Sequence, residues 1–364
     1  MNWLYIFLGF SALIVLHEAG HYAAAKATGM RVERFFLFFG PTLWSFKRGE
    51  TEYGIKSIPL GGYVKITGMT PEEEIPDEVA DRAYHRQPVW KRIVVIAAGP
   101  AVNIVLAFLI FFFVFWTNAI QSTQQVDRVL PDSPAAAAGL QPGDQVVAVD
   151  GRSFGQVDTS QRLQEFRDQV DRHACAGEER DGCAATTPAQ LTIRRDGREL
   201  TLSVVPEYNA AAKRLLVGFQ YGTEPAEIGP GAAASASVDR MWFVVSRTGE
   251  IFGRIFEAEK REQISGVVGV SDAANQIIDE DALLAVLLLG LVSLSLGVIN
   301  LLPILPLDGG HIFWSLVEKV RGRPVSLRVM ERATMVGIVL VVALFFIGLS
   351  NDVGRLGTDA YKPR

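Results

Sequence analysis

The chain has 364 residues, enough for two or three domains, and apolar residues make up 49% of it. Its net charge of -5 and the lack of a basic stripe argue against a nucleic-acid partner. Its two cysteines are too few for a cysteine-rich zinc module or a disulfide-based scaffold. The distribution of the apolar residues is more informative, because they are concentrated in four long runs.

These runs, residues 3–27, 93–116, 283–302 and 333–349, are candidates for membrane-spanning helices. Each such helix needs about 20 mostly apolar residues. The first run could instead be a secretory signal peptide, but it has no basic start and no small-residue cleavage signature. The predicted fold class is therefore a polytopic α-helical membrane protein with four transmembrane helices.

Lysine and arginine near the ends of the runs predict their orientation, because cytoplasmic loops are enriched in both residues. Basic residues follow the first run, precede the second and lie between the third and fourth. This pattern places segments 28–90 and 303–332 in the cytoplasm. The N-terminus, segment 118–282 and the C-terminal tail are then outside, although three basic residues in the tail argue against this.

Two segments between the runs have strand-like patterns. In 31–68, aromatic and β-branched residues alternate with polar ones, which predicts a β-hairpin or small sheet. Two positions stay open for it, either dipping into the membrane or resting on the membrane surface. Segment 122–222 has alternating strands and Asp-Gly turns, which predict a compact β-rich domain. Its SPAAAAGLQPGD block and VDG turn resemble a PDZ domain, which binds extended peptides at a sheet edge.

We therefore divide the chain into four parts: 1–118 with two spans and the hairpin, 119–225 as an inserted PDZ-like α+β domain, 226–282 as an amphipathic linker, and 283–364 with two spans. Within the linker, 237–262 has an apolar stripe at helical spacing, which predicts a helix that lies on the membrane surface or packs on the spans. The members of this stripe are Trp242, Val245, Ile251, Ile255 and Phe256. We expect a disulfide between Cys175 and Cys183, because the predicted outer location permits one.

The sequence HEAGH at 17–21 carries the strongest chemical signal. His17 and His21 are one helical turn apart on one face, where two imidazoles can bind one zinc ion. Glu18 projects from nearly the same face and can take a proton from a water activated by the metal. Ionisable residues inside a span are costly, so three together indicate a function more than a polar cluster satisfied by neighbouring helices.

A catalytic zinc usually has three protein ligands, so one more is needed. Asp308 and His311 are the remaining candidates, and both lie in NLLPILPLDGGHIF at 300–313. The two prolines there end the third helix, and the Gly309–Gly310 pair permits a sharp turn that directs Asp308 inward. By helical rise, this segment and HEAGH fall at similar depths in the bilayer.

The order of these motifs resembles the site-2 protease family of zinc intramembrane proteases, and the bacterial RseP and Rip type fits best. The other matching segments are GGYVK at 61–65, GPAVN at 99–103, SGVVGV at 265–270 and NLLPILPLDGGH at 300–311. Together with HEAGH they cover most of the chain. Val267 stands where the family usually has a proline, and one PDZ-like domain is present where many relatives have two.

The resemblance implies that His17, His21 and Asp308 bind one catalytic Zn²⁺ and that Glu18 is the general base. His311 is then a fourth zinc ligand, a partner of the ligands or a helix-start residue, and the family pattern favours Asp308 as the ligand. The resemblance also implies that the hairpin helps to hold an unwound substrate. The substrate-binding candidates are Asn300, Gly61, Gly62, Tyr63 and Asn103.

The resemblance further implies a metalloendopeptidase of the bacterial inner membrane, in contact with lipid and active near the cytoplasmic side. Its substrates would be single-span membrane proteins, such as anti-sigma factors already cut outside the membrane in stress-response signalling, and remnant signal peptides. The PDZ-like domain would exclude bulky substrates or bind peptide ends.

Two other functions fit four spans. An inactive scaffold could bind peptides through its PDZ-like domain, but it would not need the carboxylate of Glu18. A zinc transporter would need further ligands along a path, and the second and fourth runs contain none.

Overall fold

The computed structural model describes residues 2–69, 73–153, 159–175, 177–210, 212, 214–254 and 282–356. They form two compact units, one made of Met1–Trp116 with Gly229–Arg364 and one made of Thr117–Ile228. The second unit is thus inserted in the sequence of the first. Segment 265–270, with Val267, and the end of the predicted linker lie outside the described residues.

The regular elements follow one another in this order: α1 (Asn2–Ala27), β1 (Val32–Arg48), β2 (Thr51–Ile66), α2 (Val89–Thr117), β3 (Ile120–Val129), α3 (Pro134–Ala137), β4 (Gln145–Val149), β5 (Arg152–Ser153), α4 (Thr159–Val170), β6 (Ala189–Arg195), β7 (Arg198–Val204), β8 (Glu207–Asn209), β9 (Arg214–Leu216), β10 (Phe219–Pro225), α5 (Pro230–Arg254), α6 (Ala282–Asn300), α7 (Asp308–Arg321) and α8 (Leu327–Leu356). Two short 3-10 turns, Asp77–Arg82 and Tyr84–Arg86, precede α2.

Four of these helices, α1, α2, α6 and α8, are long and apolar enough to cross a membrane. The expectation of four such helices is therefore confirmed. Large apolar side chains such as Phe7, Phe113 and Val339 are exposed on their outer faces. A helix that is apolar on all sides is typical of a membrane span, because lipid can cover the face that protein leaves open.

Small residues bring the spans of the first unit close together. A Cβ atom added to Gly20 on α1 would lie 2.6 Å from the carbonyl oxygen of Ala98 on α2. One added to Gly297 on α6 would lie 3.0 Å from the carbonyl oxygen of Pro100. In lipid, van der Waals contact drives helix association, so small residues are favoured where backbones approach. α1 and α6 therefore both pack closely against α2.

The predicted hairpin is present as β1 and β2, and it is folded more tightly than a simple hairpin. Phe38 and Gly40 have φ values of 68° and 86°, and they bend β1 near its middle. As a result, residues 34–37 pair with 52–55 and also with 62–65. Residues 62–65 thereby form an outer strand of this small sheet, beside α1.

A polar cluster ties the turn of this sheet to its surroundings. The Glu50 carboxylate accepts hydrogen bonds of 2.7 and 2.8 Å from Arg82 and one of 2.5 Å from Lys26 at the end of α1. The hydrogen bonds from Arg82, helped by Lys26, lower the pKa of Glu50 to about 2. Glu50 therefore stays ionised at neutral pH, and the cluster connects the hairpin to α1.

The inserted unit is an α+β domain with its own core. Its main sheet has the strand order β10-β3-β4-β6-β7, and β5 pairs with β4. Fully buried side chains such as Val126, Leu191 and Ile193 fill its core. Cys175 and Cys183 form the expected disulfide, with Cα atoms 6.0 Å apart. The unit begins and ends on paired strands, since the Ala226 N–H donates to the Ala119 carbonyl at 2.8 Å.

The apolar stripe predicted in 237–262 falls on α5 as far as Arg254, and its last members, Ile255 and Phe256, lie outside the described residues. Met241, Val244 and Val245 pack against α2 and α6. Trp242, which the sequence pattern assigns to the same stripe, is 71% exposed. The packed face therefore includes Val245 but not Trp242. The sequence left open whether this helix lies on the membrane surface or packs on the spans, and it packs on the spans.

Replacing Glu50 by Gln should lower the free energy of opening of the hairpin by about 1–2 kcal/mol, because the variant loses charge-assisted hydrogen bonds at a half-exposed site. Hydrogen exchange of the β1 and β2 amides measures this change. The native advantage should be complete above about pH 4.5 and should disappear toward pH 2, because protonation of Glu50 removes its charge.

Glu52→Gln, two residues further along the same hairpin, is the matched control, because its contact with Arg34 spans 3.5 Å and is largely exposed. This variant should change exchange by less than about 0.5 kcal/mol. Equal effects of the two substitutions would contradict the assigned role of Glu50.

Candidate active site

Two buried imidazoles on α1 form the base of the site. His17 and His21 are 7% and 8% exposed, and their Nε2 atoms are 3.2 Å apart. Nδ1 of His21 lies 2.9 Å from the carbonyl oxygen of Val95 on α2. A carbonyl oxygen only accepts hydrogen bonds, so Nδ1 of His21 carries the proton and Nε2 presents a lone pair.

A carboxylate from the other half of the unit completes the cluster. Asp308, the first residue of α7, places Oδ2 3.2 Å from Nε2 of His17 and 3.4 Å from Nε2 of His21. This oxygen is buried and accepts no hydrogen bond from the described part of the chain. A buried carboxylate oxygen without a donor is costly, which indicates that the cluster needs a further partner.

The three atoms fit a zinc ion. Ligand atoms about 2.0–2.1 Å from a tetrahedral zinc lie about 3.3 Å from one another, close to the 3.2–3.4 Å observed here. Two imidazole nitrogens and one carboxylate oxygen are also the donor types that catalytic zinc takes. Among the described residues these three are the group that could hold a metal ion, and His311 is not one of them.

The turn that delivers Asp308 differs from the one expected. Gly309 and Gly310 are helical residues of α7, so the sharp turn predicted at this pair is wrong. The chain turns earlier, in 301–307, where two prolines end α6. The glycines are needed for space, because a Cβ on Gly309 would lie 2.2 Å from the Leu301 carbonyl oxygen. They let the start of α7 pack directly on the turn.

Glu18 lies beside the imidazoles at the edge of the small sheet. A Cβ atom on Gly62 would be 3.1 Å from Cγ of Glu18, so only glycine leaves full room for this carboxylate. The backbone of Val64 also hydrogen bonds to Glu18. The outer strand therefore lies directly against the carboxylate that the sequence assigns to proton transfer.

A cavity of about 520 Å³ joins these groups. Its lining includes His17, Glu18, His21, Asp308 and four substrate-binding candidates, namely Gly61, Gly62, Tyr63 and Asn300. Most of the remaining wall is apolar, with side chains such as Phe10, Ile14 and Leu296 that the sequence analysis did not single out. Apolar residues of a span carry no local signal that separates cavity wall from lipid-facing surface.

Asn103, the remaining substrate-binding candidate, lies behind His17 and not at the cavity. It is fully buried on α2, and it is not among the described residues that line the cavity. Its Nδ2 lies 3.2 Å from Nδ1 of His17. This position behind the imidazole does not favour the substrate contact predicted from the sequence.

Gly99 is a site residue that the sequence analysis did not identify. A Cβ atom there would lie 2.3 Å from Nε2 of His21 and 2.9 Å from Cε1 of His17. The spacing gave a signal, since Gly99 is one helical turn from Asn103 in the GPAVN segment. The bare backbone of α2 at this point makes room for both imidazoles.

The chain matches the model of peptidase family M50 over residues 5–344. It is 33% identical to a protein of Mesorhizobium japonicum, over 94% of this chain and 96% of that protein. It is 30% identical to the metalloprotease MmpA of Caulobacter vibrioides, over 97% and 94% of the two chains. It is 31% identical to the zinc metalloprotease Rip1 of Mycobacterium tuberculosis, over 93% and 94%.

Replacing Gly99 by Ala should weaken zinc binding at least about tenfold, because the added methyl group displaces the imidazole of His21. Elemental analysis of the purified protein after dialysis against a weak chelator measures the zinc that remains. Gly249→Ala on α5 is the control, since a Cβ there meets no described atom within 4 Å. Zinc retention by Gly99→Ala equal to that of the native protein would contradict the assigned packing.

Proposed function

The chain belongs to peptidase family M50, and on that premise we propose that it cleaves single-span membrane proteins within their transmembrane segments. As a member of this family it is a site-2-type zinc metalloprotease, an enzyme of intramembrane proteolysis with one catalytic zinc. The observation that carries the proposal is the convergence of His17, His21 and Asp308, with Glu18 beside them, on one cavity between apolar helices.

His17, His21 and Asp308 would hold the zinc. They come from α1 and from the start of α7, so a bound ion would link the two halves of the unit. When bound, zinc polarises the scissile carbonyl group and lowers the pKa of the attacking water. A buried, mostly apolar surrounding keeps other water away and strengthens these electrostatic effects.

Glu18 would act as the general base. It takes a proton from the attacking water and passes it to the leaving amide nitrogen. The hydrogen bond from Val64 and the close contact with Gly62 fix its position relative to the imidazoles. A side chain held in this way needs little rearrangement when the substrate arrives.

The substrate would bind as an extended strand along 62–65. A helical substrate hides its scissile carbonyl in its own hydrogen bonds and must unwind before cleavage. Pairing with the outer strand of the small sheet would replace the hydrogen bonds that unwinding breaks. Residues 62–65 support this role, because they are paired on one side with 34–37 and adjoin Glu18.

Asn300, at the end of α6, lines the same cavity as the ligands. We expect its side-chain amide to donate a hydrogen bond to the oxygen of the scissile carbonyl as negative charge develops there. A donor of this kind stabilises the transition state more than the bound substrate.

The hairpin would contact the membrane. Leu43, Trp44 and Phe46 are 68%, 59% and 45% exposed, and water is a poor solvent for such a surface. Lys47 and Arg48 follow these residues in the sequence, and they suit the boundary with lipid headgroups. We therefore favour the membrane-dipping position among the two that the sequence leaves open.

The distribution of Lys and Arg would place the hairpin on the cytoplasmic side of the bacterial inner membrane and the inserted unit outside. The inserted unit, which we interpret as PDZ-like, would bind peptide ends or exclude bulky substrates. Substrates would then be anti-sigma-factor-type proteins after a first external cut, and remnant signal peptides.

The main test is cleavage of a tagged single-span substrate in liposomes by the native protein and by Glu18→Gln. The substitution removes the base and keeps the shape, so the cleavage rate should fall by about 10²–10⁴-fold while zinc content is unchanged. Equal cleavage by both proteins would refute the mechanism.

Replacing Asn300 by Leu tests the proposed oxyanion donor. Loss of such a donor should lower kcat about 10²–10³-fold with zinc content unchanged, because the leucine keeps the side-chain volume but cannot donate. Steady-state kinetics on the same substrate separate kcat from KM. A rise in KM alone would show that Asn300 binds the substrate without stabilising the transition state.

A further inference from the structure

One face of α2 lies against both imidazoles of the site. Val95, Gly99 and Asn103 are spaced by four residues, so they form a stripe along this helix. The carbonyl oxygen of Val95 contacts His21, the bare backbone of Gly99 faces both rings, and the side chain of Asn103 contacts His17. The stripe therefore contacts Nδ1 of both proposed ligands, His17 and His21.

The two rings need the same tautomer to bind one ion through Nε2. A neutral imidazole carries its proton on one nitrogen, so a free Nε2 requires a proton on Nδ1 and a hydrogen-bond acceptor beside it. For His21 that acceptor is the Val95 carbonyl oxygen at 2.9 Å. Nδ1 of His17 has Asn103 as its partner, so the side-chain amide must supply the equivalent acceptor.

The amide of Asn103 can present either of two groups to His17. Its Nδ2 is the nearer atom, at 3.2 Å, while Oδ1 is buried and has no partner among the described residues. The two ends of an amide occupy nearly the same volume, so a half-turn exchanges them. Because Oδ1 has no competing donor, the half-turn breaks no other hydrogen bond of that oxygen.

We propose that Asn103 is a positioning residue whose Oδ1 accepts a hydrogen bond from Nδ1 of His17 and so fixes the ring with Nε2 toward the zinc. The inference rests on the zinc site of the proposed function. It replaces the substrate-binding role predicted for Asn103, and it assigns a reason to the asparagine of the GPAVN segment.

The surroundings of Asn103 hold it in place for this role. Ser293 on α6 donates a hydrogen bond of 2.8 Å to the backbone carbonyl of Asn103. A Cβ atom on Gly297 would lie 3.4 Å from Cβ of Asn103, so α6 packs directly behind it. A partner behind a zinc-binding imidazole keeps the ring oriented and makes its nitrogen more basic.

The test compares zinc affinity between the full-length native protein and two variants in detergent, by competition with a chromophoric chelator. Asn103→Leu keeps the volume but removes the acceptor, and it should bind zinc about 10–100-fold more weakly. Asn103→Asp keeps an acceptor oxygen at this position, and it should restore affinity close to that of the native protein.

Cobalt supplies a readout that general loosening of the helices would not change. The visible absorption bands of bound Co²⁺ report the geometry of its ligands, so Asn103→Leu should shift them and Asn103→Asp should retain them. Gly249→Ala on α5 is the control, because a Cβ atom there meets no described atom within 4 Å and the residue has no part in the proposed zinc site. It should leave both the bands and the zinc affinity unchanged.

The outcomes separate this inference from the proposed function. Absence of zinc and cobalt binding by the native protein would overturn the zinc site itself. Native binding together with unchanged affinity and bands in Asn103→Leu would overturn only the role of Asn103. If Asn103→Leu does not fold, ¹⁵N spectra of the zinc-loaded native protein decide, since a His17 bound through Nδ1 would refute the proposal.

Discussion

The cost of ionisable groups among apolar helices is the constraint on which the rest of this structure depends. Two histidines and one glutamate lie on a candidate membrane span, and an aspartate joins them from the start of α7, so each needs a partner within reach. They obtain it by converging on one point, and the helices must approach closely for that. Gly20, Gly99 and Gly297 remove the side chains that would prevent this approach. The same close packing of the spans therefore also brings the proposed zinc ligands together.

The convergence of most of the proposed ligands could be predicted because its signals are local. A four-residue spacing places His17 and His21 on one helix face whatever surrounds the helix, and prolines before Asp308 show where the third helix ends. The contact between Asn103 and His17 has no such signal. It depends on the rotation of α2 about its own axis, which side chains far from either residue determine. For the same reason, the sequence could not distinguish glycines that bend a chain from glycines that admit a neighbour.

The small sheet places two requirements of peptide cleavage next to each other. A strand with unpaired backbone groups is a hazard in most proteins, because it invites pairing with other chains. Residues 62–65 pair with 34–37 on one side, so under the proposed function their other side would serve substrate binding, and the strand adjoins Glu18, to which we assign the proton transfer. Gly62 links the two functions, because it belongs to the strand and leaves room for Glu18. Under the proposed function, binding and proton transfer therefore depend on the same few residues.

The paired ends of the inserted unit have a consequence for the history of such proteins. Ala119 and Ala226 are hydrogen bonded, so the chain enters and leaves this unit at neighbouring points. A module attached in this way can be lost, exchanged or duplicated by recombination, and a short turn suffices to reconnect the flanking chain. Selection can therefore alter or replace the inserted unit while the residues of the candidate active site are inherited unaltered.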